Sequence, residues 1–191
     1  MPNHIPFIGR THDSSTWTAR DDDFIDFISS QFNDESVTPA GWSGRNSVGA
    51  RRDGATLIIE RYILPYLEEN PGSPIRLVGF SHGGNVAIRI VNELAQMGIE
   101  VDTLITIGTP VRGDNQLASG VSPGQFINVY NQSDRVQVNL GGRWWHAGQA
   151  WDRHFPTADE NVDAQSRRGH GDMHNRTIVW TRYIMPAVGR N

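Results

Sequence analysis

Short apolar runs alternate with amphipathic helical patterns along almost the whole chain. Ile5 to Gly9, a piece near Val37, Ile75 to Phe80, Val101 to Ile107 and Phe126 to Tyr130 read as strands, and Asn161 to Gln165 as a last short one. Between them lie helical stretches. Asp21, Asp22 and Asp23 open the first, where carboxylates suit the positive end of the helix dipole, and Phe24, Phe27, Ile28 and Phe32 give it an apolar face. Residues 47 to 68 read as a helix that Pro65 kinks or splits. The next helix carries Val86, Ile90, Val91, Leu94 and Met97 on one side. Thr177 to Val188 forms the last, with Val179, Trp180, Tyr183, Ile184 and Ala187 sharing a face. Strands that take turns with helices call for an α/β fold, a mostly parallel central sheet with helices on both faces. Asn70-Pro71-Gly72-Ser73-Pro74 is a clear break. Residues 131 to 169 read mostly as loop, rich in Gly, Arg, Asp and Trp. No repeat or linker divides the 191 residues, so one domain over 1–191 is expected.

One junction carries chemistry. Gly79-Phe80-Ser81-His82-Gly83 matches G-x-S-x-G where an apolar run ends and a helical pattern begins. A serine on so sharp a turn exposes its hydroxyl, and bulky neighbours two positions away would strike the adjoining strand and helix. Gly84 adds further room. The helix that starts beneath Ser81 favours negative charge there. A glycine-rich connecting turn is the plainer alternative.

Composition narrows the chemistry. The chain has no cysteine and no lysine, so all 17 basic residues are arginine. That excludes a thiol nucleophile, a thiolate metal site, Schiff-base chemistry and a lysine-dependent phosphate loop. A covalent mechanism must then use a hydroxyl, carboxylate or imidazole. A net charge of −4 gives no electrostatic case for nucleic acid. No apolar stretch reaches membrane-spanning length, and Met1 to Arg10 lacks the pattern of a signal peptide, so a cytoplasmic location is expected.

Leu77-Val78-Gly79-Phe80-Ser81-His82-Gly83-Gly84 resembles the nucleophile elbow of the α/β-hydrolase superfamily, and the size is similar to its small lidless lipases and esterases. The likeness in strand and helix order runs from about residue 4 to 188; only the elbow is a specific motif. The resemblance implies a minimal fold without a cap domain. It also implies a triad in the chain order Ser, acid, His. Ser81 is then the nucleophile. The family takes its acid from the loop after the second strand beyond the elbow, which favours Asp134 over Asp114. The base lies before the terminal helix, in Gly169-His170-Gly171-Asp172-Met173-His174, which favours His170 over His174. The His170/His174 spacing could also suit a metal, but no third ligand accompanies it.

The resemblance places the oxyanion hole at the backbone N–H of His82 and at a second N–H after the first strand. The family often has His-Gly in that loop, whereas Ile8-Gly9 stands here, so the donor would be Arg10, or alternatively Thr11. Trp144, Trp145, His146 and Trp151 could line an acyl pocket or pack the long loop onto the sheet, and Trp17 is equally open. The implied activity is carboxylic-ester hydrolysis without a cofactor, on a small-molecule or lipid ester. With 131–160 as the only long insertion, an open site is expected. Thioesterase, phospholipase and amidase activity, or a non-catalytic binding module, remain alternatives.

Overall fold

A computed structural model describes residues 5–8, 22–33, 37–141, 153–165, 169–174 and 176–189. Six parallel strands form one sheet in the order β2-β1-β3-β4-β5-β6. They are β1 (Ile5–Ile8), β2 (Val37–Ala40), β3 (Arg76–Phe80), β4 (Thr103–Ile107), β5 (Gln125–Tyr130) and β6 (Glu160–Asp163). Helix α1 (Asp22–Phe32) follows β1, α2 (Val48–Ile58) and α3 (Leu64–Glu69) follow β2, and α4 (His82–Gln96) joins β3 to β4. Helix α5 (Arg135–Gly141) follows β5, and α6 (Thr177–Val179) begins the terminal helical segment.

The strands alternate their side chains between two cores, as the pleat requires. Leu77, Leu104 and Phe126 pack with Ile58, Val86, Ile90 and Leu94 from α2 and α4. Val78, Ile105 and Ile127 pack on the opposite face with Phe24, Ile28, Val179, Trp180 and Ile184. Every described position of β4 and β5 is buried, because both faces of a parallel sheet are covered. Each fully buried Leu or Ile contributes about 1.5–3 kcal/mol, so α4 is held mainly by this contact. Among the described residues, no helix is long and apolar enough to cross a membrane.

The helix over 47–68 is split at Pro65 into α2 and α3, as expected, while several other elements depart from the sequence reading. A π-helical turn over Ile59–Ile63 precedes the proline, and the Leu64 N–H reaches back to the Ile59 carbonyl. The wider turn relieves the clash a proline ring makes with the carbonyl four residues earlier. Met97 lies off the apolar face, 56% exposed at the end of α4. Gly98, at φ +73°, ends the helix there, with Gly98 N–H donating to Ala95 and Ile99 N–H to Leu94. Helix α5 occupies part of the stretch read as loop; Val136, Val138 and Leu140 alternate at a strand-like period that hides it. The last strand, Glu160–Asp163, starts just before the expected Asn161 and stops short of the expected Gln165.

With its serine at the sharp turn between β3 and α4 and no cap domain among the described residues, this is a minimal α/β-hydrolase fold.

Candidate active site

The site is assembled at the carboxyl ends of β3 and β5. Ser81 adopts φ 54°, ψ −125°, a conformation that costs a non-glycine residue about 1–3 kcal/mol. The sheet holds it there. Its N–H donates to the Ile107 carbonyl at 2.8 Å, and its own carbonyl accepts from Gly84 N–H at 3.1 Å. Two glycines make the turn possible. A Cβ on Gly79 would press into the Gly84 backbone and lie 2.8 Å from the Gly83 carbonyl carbon. A Cβ on Gly84 would strike Thr109 Oγ1 and come within 2.9 Å of Thr109 Cβ. Gly84, outside the five-residue motif, is therefore as constrained as Gly79. Ser81 is 1% exposed, which is less open than the sequence led us to expect.

Asp134 is fully buried at the start of α5. Its Oδ1 accepts from Val136 N–H at 2.8 Å and Gln137 N–H at 3.3 Å, in the manner of a helix cap. Its Oδ2 is left for His170, whose Nδ1 lies 2.6 Å away. His170 Nε2 in turn lies 2.9 Å from Ser81 Oγ. An ionised carboxylate can only accept, so with Asp134 ionised a neutral His170 carries its proton on Nδ1 and offers the Nε2 lone pair to the Ser81 hydroxyl. His170 reaches this point from a short turn that follows Gly169, whose φ of +81° and ψ of −152° suit a residue without Cβ.

The structure thus brings Ser81, Asp134 and His170 into one hydrogen-bonded chain. The alternatives lie elsewhere. Asp114 pairs with Arg51 Nη2 and Arg112 Nε, each at 3.2 Å. Burial lowers the pKa of Arg51, the Arg112 charge lowers it further, and Asp114 opposes both. His174 stacks on Phe80 at 4.1 Å between ring centroids. Among the described residues, no cluster of three or more His, Cys, Asp or Glu is arranged to hold a metal. His82 is the first residue of α4, where backbone N–H groups lack intrahelical partners. Arg10 and Thr11 lie outside the described residues, as do Trp17, Trp144, Trp145, His146 and Trp151.

Two supporting residues escaped the sequence reading. Gln137 Oε1 accepts from Asn131 N–H and its Nε2 donates to the Thr109 carbonyl, both at 3.2 Å. It ties the Asp134 turn to the segment after β4. Asp134-x-x-Gln137 is the spacing of a capping box, the signal that could have found it. Arg153 Nη2 donates to the Asp134 carbonyl at 3.2 Å. Its own carbonyl accepts from buried Asn128 at 2.8 Å, so this strap is fastened to β5. No short-range sequence signal marks Arg153.

No family model matches the chain, and no curated protein sequence matches it. Solved structures resemble it only distantly. A thioesterase domain from a nocardicin cluster, NocB, is 15% identical, with a TM-score of 0.47 over 80% of this chain and 79% of that one. An esterase/lipase from an uncultured bacterium is 11% identical, with a TM-score of 0.49 over 72% of this chain and 59% of that one. A cutinase-like protein from Cryptococcus sp. is 20% identical, with a TM-score of 0.43 over 59% and 56%. The match thus spans less than two thirds of the last two proteins.

Proposed function

We propose that the chain is a serine hydrolase that cleaves carboxylic esters through an acyl-enzyme. One observation carries the reading: the continuous path Asp134 Oδ2, His170 Nδ1, His170 Nε2, Ser81 Oγ, with gaps of 2.6 and 2.9 Å. A hydroxyl is a weak nucleophile unless a base takes its proton, and the base needs an orienting partner. In this reading Ser81 Oγ attacks the ester carbonyl while its proton passes to His170 Nε2. Asp134 holds the imidazole in register and stabilises its positive charge. The oxyanion that forms meets the His82 N–H and a second donor proposed at Arg10. Collapse breaks the bond to the leaving alkoxide, which takes the proton from Nε2. Water then repeats the sequence, releasing the acid and restoring Ser81. No step calls on an added group.

The test is hydrolysis of a short p-nitrophenyl ester with Ser81→Ala alongside the parent protein. Activity is expected to vanish in the variant; residual turnover near the parent level sinks the assignment. A panel varying acyl length and leaving group, with thioesters, amides and phospholipids included, sets the substrate class. Fluorophosphonate labelling separates an enzyme from a binding module, since only an activated Ser81 reacts.

A further inference from the structure

Phe80 is the last residue of β3, immediately before Ser81, and is 2% exposed. Its ring centroid lies 4.9 Å from that of His170, with the planes 33° apart. His174 stacks on the same ring at 23°, and the turn carrying His174 is pinned by Trp180, whose Nε1 donates to the His174 carbonyl at 2.8 Å. Phe80 is therefore a fixed, buried ring against the proposed base.

An aromatic face is electronegative and attracts a cation within about 6 Å of its centroid, more strongly when both are desolvated. In the proposed reaction a neutral His170 becomes an imidazolium on taking the Ser81 proton. The attraction therefore grows as the transition state forms, and such a difference is what raises a rate. Asp134 addresses the imidazole at its edge, through Nδ1. Phe80 packs against the ring instead. The Arg153 guanidinium, held on the Asp134 carbonyl, acts in the opposite sense on a developing cation.

We infer that Phe80 is an electrostatic positioning residue, whose ring face stabilises the imidazolium that His170 becomes on accepting the Ser81 proton. The inference rests on the serine-hydrolase reading.

The test replaces Phe80 in the full chain with 4-fluoro-, 3,5-difluoro- and 3,4,5-trifluorophenylalanine, which drain the ring face with little change of shape. The probe is a fluorophosphonate. Ser81 Oγ forms a bond to phosphorus, the P–F bond breaks, fluoride leaves, and the Ser81 proton passes to His170 Nε2. The second-order labelling rate is expected to fall with each fluorine, to about a tenth of the parent rate at the trifluoro ring. The thermal midpoint should hold constant across the series. Phe80→Leu, which keeps apolar bulk without a π face, should lose at least as much rate. A rate that is flat across the fluorinated series, or that falls only in step with the thermal midpoint, overturns the inference and leaves Phe80 as packing. A parent protein that is not labelled at all overturns the serine-hydrolase reading itself, a result distinct from a flat series.

Discussion

Asp134→Asn is the sharpest probe of the proton path, because the backbone decides how the new amide must sit. One oxygen of Asp134 already accepts from two N–H groups, those of Val136 and Gln137. An asparagine will keep its carbonyl oxygen there. Its NH2 group then faces His170 Nδ1, which must accept instead of donate. The imidazole proton is driven to Nε2, where it can no longer take the proton of Ser81. The flipped amide restores the useful tautomer but sets NH2 against two N–H donors, one part-buried and one buried. Leaving these unsatisfied costs about 1–3 kcal/mol each. The competent orientation is therefore populated about one time in thirty at best, and about one in 10⁴ at worst. Loss of the carboxylate charge beside the imidazolium adds to this, so kcat should fall by about 10³- to 10⁴-fold. The assay is steady-state hydrolysis of a p-nitrophenyl ester, with thermal unfolding run in parallel. The cap on α5 survives in this variant, so the midpoint should barely move. Activity within tenfold of the parent, with the fold intact, refutes the tautomer argument.

Two further outcomes follow from packing and charge. Gly84→Ala forces a Cβ onto Thr109 and should cost about 3 kcal/mol in chemical denaturation; adding Thr109→Ala should recover part of it, since the hydroxyl it meets first is then gone. Asp114→Asn leaves the Arg51 side chain, only 2% exposed, without its carboxylate. Because Asp114 is itself 49% exposed, the loss should be nearer 1–2 kcal/mol than the full cost of breaking a buried pair. Its fluorophosphonate labelling rate should stay at the parent level, which distinguishes it from Asp134.

Legibility in the sequence tracked the range of the interaction. The alternation of strands and helices rests on local periodicity, and the sheet follows it closely. The elbow is legible because its glycines are needed by atoms only a few residues away. Asp134 and His170 were named through strand order and family likeness, and the structure brings them to Ser81, though nothing local in either stretch requires it. What stayed hidden depends on register across the sheet or on competing patterns. Phe80 meets His170 only because a distant turn folds back over the end of β3. Arg153 reaches Asp134 because Asn128, a polar residue buried in β5, anchors its backbone. Helix α5 was masked by its own alternating valines. The π-turn before Pro65 answers a steric demand that propensity does not register.

The path from Asp134 to Ser81 joins three points separated by 36 and 89 residues of chain. None of its links survives unless β3, β4 and β5 are in register and the terminal segment is docked on them. If Ser81 is the activated nucleophile proposed above, its reactivity counts whole native molecules and is not a local property of a turn. A lesion anywhere in those strands should extinguish labelling in the same cooperative transition that melts the sheet. Followed through a melt, the labelled fraction would trace global unfolding, with one covalent mark for each surviving molecule.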